Sequence, residues 1–365
     1  MDLDNPSTSS LEKNEGEFFI FCYYKISSSS DLKGLTITKG VRRIMKKLLA
    51  GCLVLFLILP GVISCTSAKS SDPLLVPVTA HTVIEIQVGK ILSNPALQLA
   101  YEELAKANPA WPQTANDVLN QLSQKTDFDV SSISTAVFFS DIESTGQPQN
   151  TYAGVIASGT FNEPTLIAKI QQQTQQTLNT SDYKGLTIYD GAQDKFAIVF
   201  LSQNQLAFGT LKAVQDVVDV NKGDQPALTG SIIDTLNRLG PALIVGASVP
   251  PESLLNQLGQ KVPQQNTLSL ESFQNIDNIG FAIGQPSLSL SVRIDAHFSN
   301  AASVQDAKDT LTGLISVAKG SSQDPNVKTA LGNIQVSTTD SWLSIRDLIN
   351  PADITTLIGI IQKQK

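Results

Sequence analysis

The chain has 365 residues with 26 Lys and Arg against 33 Asp and Glu, a formal net charge of −7. From Thr66 onward 18 basic side chains face 27 acidic ones, a balance of −9, with no Lys/Arg cluster. An acidic surface of this kind repels phosphate backbones, which excludes nucleic acid as a partner. The three cysteines, Cys22, Cys52 and Cys65, all precede the region expected to fold, so disulfides and thiolate metal sites are excluded from it.

In chain order, residues 1–44 are polar apart from Phe18 to Tyr24 and have no role in export, so they read as a mis-assigned leader with Met45 as the initiator. Arg42, Arg43, Lys46 and Lys47 then form a basic flank. Leu48 to Ile63 is an apolar run with Pro60-Gly61 near its end, and Val62-Ile63-Ser64 places small or β-branched side chains ahead of Cys65. The run sits at the short end of the ~17–25 residues that span a bilayer. Basic flank, apolar run and narrow side chains are the parts of a secretory signal. The segment 45–64 resembles the lipobox signal of prokaryotic lipoproteins. That resemblance implies cleavage before Cys65, diacylglycerol on its sulfur, and a chain lipid-anchored on the extracytoplasmic face of a cell membrane.

Residues 65–78, rich in Ser, Lys and Pro, read as a tether. Beyond it strands alternate with amphipathic helices. Val83–Val88 is expected as a strand, Pro95–Ala107 and Thr114–Gln124 as helices, and Ile133–Ser140 and Tyr152–Phe161 as strands. Pro164 opens a helix running to Leu178, with a Gln-rich outer face at Gln171 to Gln176. Strands follow at Leu186–Tyr189, Phe196–Leu201 and Leu206–Gly209, then a helix at Leu211–Val220 stopped by Asn221-Lys222-Gly223. Phe196–Leu201 is apolar on both faces, as a central strand would be.

A helix at Ser231–Leu239 leads into a shorter version of the same order. Strands are expected at Leu243–Val249, Asn278–Ile283, Leu288–Phe298, Ile334–Ser337 and Trp342–Ile345, and helices at Glu252–Leu258, Val304–Ala318 and Pro351–Gln362. Gly159-Thr160-Phe161 before one helix is echoed by Ala296-His297-Phe298 before another. The expected class is α+β, with antiparallel sheets, helices packed on one face, and a degenerate two-fold repeat over 79–225 and 226–365. Along Ser287–Ser299, Leu290, Val292, Ile294, Ala296 and Phe298 alternate with Ser291, Arg293, Asp295 and His297, predicting one buried and one wet face.

Chemistry is sparse. Asp295 and His297 share a strand face with serines nearby, but Gly-x-Ser-x-Gly is absent and a flat sheet face offers no oxyanion hole. His81 is the other histidine, so no two-His metal site is legible. Asp127 and Asp129 read as a turn or cap, and Asp190 to Asp194 as a hairpin turn short of a calcium loop's ligands. No phosphate-binding glycine loop is present, and no cofactor is implied. Trp111, between Pro109 and Pro112, reads as packed against a sheet edge. Tyr183-Lys184-Gly185, Ile188-Tyr189 and Leu206 to Thr210 resemble a pattern shared by uncharacterised exported α+β proteins, which implies no activity. The expected function is that of a non-enzymatic envelope lipoprotein binding another protein or supporting assembly. The alternative is a carrier of lipid or another apolar ligand, since helices laid on a membrane-tethered antiparallel sheet resemble the half-barrel of lipoprotein-carrier families. An enzyme with a dispersed site ranks last.

Overall fold

A computed structural model describes residues 75–107, 112–126, 129–141, 152–191, 196–260, 270–285 and 289–349. Its first arm runs β1 (Thr82–Ile86), α1 (Val88–Leu92), α2 (Pro95–Ala107), α3 (Ala115–Thr126), a 3₁₀ turn (Val130–Ser132), β2 (Ile133–Asp141) and β3 (Tyr152–Gly159). It continues with α4 (Glu163–Thr174), β4 (Asn179–Tyr183), β5 (Leu186–Asp190), β6 (Ala197–Ser202), β7 (Gln205–Gly209) and α5 (Leu211–Lys222). After α6 (Ser231–Leu239), the second arm comprises β8 (Ile244–Ser248), α7 (Glu252–Gln260), a 3₁₀ turn (Glu271–Asn275), β9 (Ile276–Gly284) and β10 (Leu290–Phe298). It ends with α8 (Ala301–Ser321), α9 (Pro325–Asn333), β11 (Gln335–Thr339) and β12 (Trp342–Ile349). The expected helix at 351–362 lies outside the described residues.

All twelve strands join one antiparallel sheet in the order β11-β12-β10-β9-β8-β1-β2-β3-β7-β6-β5-β4. The class is therefore α+β, built on one sheet rather than several. The arms meet where β1 pairs with β8, Thr82 opposite Ser248 and Ile86 opposite Ile244. In each arm the third strand takes the arm's last strand as its outer neighbour, β3 with β7 and β10 with β12. Each arm also places a helix right after its central hairpin. Asn162 caps α4 by accepting from the Thr165 amide, and Asn300 caps α8 by accepting from the Ser303 amide. Phe161 and Phe298, the paired aromatics of the sequence echo, both sit buried against those helices.

Helices cover both faces of the sheet, not one as the sequence suggests. Alternate residues of β6 show why, because a strand's side chains point to opposite faces in turn. Ala197 and Val199 pack with Ala213, Val214, Val217 and Val218 of α5, while Ile198 and Phe200 pack with Ile167 of α4. The sheet face under α5 and α6 is face A, and the face under α4 and α8 is face B. Val214, Val217 and Val218 are each fully buried, and burial of such a side chain contributes about 1.5–3 kcal/mol. β6 is third from the sheet edge rather than central; its two-sided apolar character follows from α4 and α5.

The wet face expected for β10 is also corrected. Leu290, Ala296 and Phe298 are buried on face B, but Asp295 on face A is fully buried as well. Helix α6 lies there: a Cβ on Gly280, the β9 partner of Asp295, would meet Thr235 and Leu239 side chains at 2.5 and 2.7 Å.

Candidate functional site

Cys65, Trp111, Asp127 and Asp194 lie outside the described residues. The chain enters the fold earlier than the expected tether boundary at Val78. Val76 is fully buried in the core with α5 and α6, its carbonyl accepts from the Leu228 amide, and Pro77 bridges to Ala227. Thr79 donates to the Tyr152 hydroxyl at 3.0 Å, and Tyr152 donates to Asp216 on α5 at 3.1 Å. Burial, together with the nearby Asp216 carboxylate, pushes the Tyr152 hydroxyl pKa well above that of ordinary tyrosine. Residues 75–78, expected as the end of the tether, thus belong to the fold.

Asp295 and His297 are not brought together as a catalytic pair. Asp295 Oδ1 accepts from Arg293 Nε at 2.9 Å and Ser344 Oγ at 2.8 Å; Oδ2 accepts from Arg238 Nε at 3.0 Å and from Arg293 Nη2. With its lone pairs taken by two guanidiniums and a hydroxyl, the carboxylate is a buried ion-pair centre. His297 Nδ1 instead meets Asp277 Oδ2 at 3.1 Å, and its ring stands edge-on to Trp342 with centroids 4.9 Å apart. No serine hydroxyl is bonded to either histidine among the described residues.

The remaining polar candidates have local roles. His81 Nδ1 contacts Asp141 Oδ1 at 2.9 Å, so each histidine is matched with an aspartate. Asp129 caps the 3₁₀ turn by accepting from the Ser131 amide and hydroxyl, and Asp190 accepts from Asn179 across the β4–β5 pair. Gln175 terminates α4 in the left-handed conformation at φ 52°. No group of three or more His, Cys, Asp or Glu with metal-site geometry occurs among the described residues.

What sequence reasoning missed is an uncharged surface on face B. Strand register sets Val336, Ile345, Ile294, Phe281, Gly246, Ile84, Phe138, Val155, Phe208 and Ile198 side by side on ten consecutive strands. Gly246 makes the row possible: a Cβ there would lie 2.6 Å from the Phe281 ring and 3.2 Å from Ile84. On the six strands from β9 to β7, the face-B side chains at rows above and below are also Ile, Leu, Ala, Ser or Thr. None is ionisable. Thr82 and Ser248 satisfy each other across the seam, hydroxyl to hydroxyl at 2.8 Å.

Both ends of this face are covered, by α4 over β6 and β7 and by α8 over β10 and β12. Between them Ile84, Phe138, Val155 and Phe281 are half-buried, Ile279 is 37% exposed and Phe208 is 45% exposed. A contiguous, part-open apolar patch without charge is the surface feature most associated with binding another apolar surface. The signal was legible as alternation in β1, β2 and β9, but which alternate set stays open depends on where the helices lie.

No helix among the described residues is long and apolar enough to cross a membrane. No protein-family model matches the sequence, and no curated protein matches it. Among solved structures the chain is similar to TP0453. Its crystal form I is 12% identical with a TM-score of 0.44, over 80% of this chain and 98% of that one. Crystal form III is 10% identical with a TM-score of 0.43, over 80% and 99%, and crystal form IV is 11% identical with a TM-score of 0.41, over 80% and 97%.

Proposed function

We propose that this chain is a lipid-anchored, extracytoplasmic, non-enzymatic lipoprotein that binds an apolar partner through the open centre of face B. The part-open, uncharged row from Phe281 to Phe208 carries the reading. Interface cores are depleted in charge and enriched in aromatics, and Phe138, Phe208 and Phe281 stand in this row. A protein surface in envelope assembly is the first partner. The second reading, a carried acyl chain, is favoured by one observation: on the central six strands neither that row nor the rows directly flanking it carry an ionisable side chain. The anchor at Cys65 would hold either activity close to the bilayer.

A single crosslinking experiment separates these. A photoreactive benzoylphenylalanine placed at Phe208 of the full chain in its native cells should yield a defined adduct on illumination. The same group at Thr180, on the exposed edge strand β4, should not. A protein-mass adduct identifies a partner, and a lipid-mass adduct identifies a carrier. Equal yields at Phe208 and Thr180 would refute a binding role for face B. The anchor is tested separately: Cys65→Ser should abolish palmitate incorporation and release the chain from membranes, and labelling that persists would overturn it.

A further inference from the structure

After Arg43 the sequence contains three arginines, Arg238, Arg293 and Arg346, and no others. They come from α6, β10 and β12, separated by 55 and 53 positions in the chain, yet the fold brings all three to face A at the β10–β12 ladder. Arg293 and Arg346 are direct cross-strand partners on the same face. Such partners hold their Cβ atoms about 4.5–5.5 Å apart, and like charges placed that way are destabilising.

Asp295 offsets only part of this charge. It accepts the Nε edges of Arg238 and Arg293, fixing both guanidiniums, while Arg293 Nη1 donates to the Arg238 carbonyl at 3.2 Å at the end of α6. Arg238 lies over the Trp342 ring at 4.6 Å, which sets its plane. Its two terminal nitrogens, and the whole exposed guanidinium of Arg346, have no hydrogen bond or ion pair among the described residues. The other carboxylate at this end of β9, Asp277, is engaged by His297 Nδ1 at 3.1 Å. Asp234, one turn earlier on α6, is exposed and makes no ion pair among the described residues.

We propose that Arg238, Arg293 and Arg346, preorganised by Asp295 and Trp342, form a binding site for a phosphate group. Three guanidiniums against one carboxylate leave two positive charges, matching the roughly −1.5 to −2 charge of a phosphate monoester near neutral pH. The planar fork of arginine fits phosphate oxygens two at a time, which the point charge of lysine does not. The acidic surface elsewhere makes this the place where an anion is favoured. The phosphate belongs either to a lipid headgroup or to a soluble ion or ester, and the site is independent of the apolar surface on face B.

The test uses the full chain in neutral, phosphate-free detergent, carrying Trp111→Phe so that Trp342 is the sole indole. Its fluorescence is titrated at constant ionic strength with inorganic phosphate and, separately, with dihexanoyl phosphatidic acid below its micelle concentration. A saturable change is expected. Arg346→Gln, at an exposed position the fold tolerates, should weaken binding about ten-fold or more, as loss of a charge-assisted contact does. Lys222→Gln, on exposed α5 surface, should not. Saturation by both ligands supports the site with soluble phosphate sufficient. Saturation by the lipid alone supports it with the headgroup as the source. No saturation by either, or an Arg346→Gln titration that matches the parent, overturns the proposal.

Discussion

Adding one methyl group at Gly154 should destabilise the fold by about 1–3 kcal/mol, the usual cost of overpacking a filled core. The new Cβ would lie 2.4 Å from Phe139 Cζ and 2.7 Å from Cε1, where carbon atoms ordinarily approach to about 3.5–4.0 Å. Gly154 has no positive φ, so the loss comes from the ring and not from backbone strain. Phe139 has no room to withdraw, being fully buried on face A and packed edge-on against Tyr152 with centroids 6.0 Å apart. Phe139→Leu alone opens a void and should cost about 1–2 kcal/mol. Combined, the alanine methyl partly fills that void, so the double variant should be at least about 1 kcal/mol more stable than the two losses added together, as contacting sites are coupled. Urea unfolding of the full chain in neutral detergent, followed by far-UV circular dichroism, gives all four stabilities if the m-value stays constant. A Gly154→Ala variant as stable as the parent, or losses that simply add, would refute the packing of Phe139 over Gly154.

Asp295→Ala leaves Arg238 and Arg293 without their shared anion and should lower stability by about 3–5 kcal/mol. The triple change to Leu, Met and Met should recover most of it, and thermal melts of the two variants would decide. At Asp219, desolvation pushes the carboxyl pKa up, but hydrogen bonds from Lys184 and Tyr183 outweigh it and hold the group below the usual carboxylate range. A depressed folded pKa contributes stability that is present above the unfolded value, about 3.9, and lost as pH falls through the folded one. The stability gap between the parent and Asp219→Asn should therefore be wide at pH 7 and narrow near pH 3; urea midpoints showing the same gap at both would contradict the assignment. Asn162→Ala removes the α4 cap and should cost about 1 kcal/mol in the same assay, with no measurable loss counting against the cap.

The sequence carries the long elements well, because their periodicity is set by one dominant partner. Helix α2 falls at the expected Pro95–Ala107, and α6 at the expected Ser231–Leu239. It loses elements that owe their existence to neighbours. Strand β4, Asn-Thr-Ser-Asp-Tyr, has no apolar alternation and forms because Lys184 and Gly185, at φ 54° and 78°, turn it back onto β5. Helix α9 did have a legible start, Asp324 followed by Pro325, with Asp324 accepting from the Asn326 amide. The arginine cluster was invisible for a different reason. Arg293 beside Asp295 looks solvated on a strand, and only the arrival of α6 from 55 residues away buries the carboxylate. The open row on face B was likewise hidden, since alternation specifies two faces but not which one a helix will cover.

The seam between β1 and β8 has a consequence for how the molecule is made. Thr82 and Ser248 touch across it although 166 positions apart, whereas most other strand pairs join neighbours in the chain. Loop closure over such a span is slow compared with hairpin formation. An emerging first arm can zip β2 to β3 and β4 through β7 locally, but the outer hydrogen-bonding edge of β1 stays unsatisfied until β8 has been delivered. For that interval the sheet ends in an apolar strand, Thr-Val-Ile-Glu-Ile, in place of the polar β11 and β4 that border the finished one. Unpaired apolar edges recruit other chains. The order of synthesis thus leaves the nascent protein with its most adhesive edge in what later becomes its middle, and closing the seam both completes the core and removes the hazard.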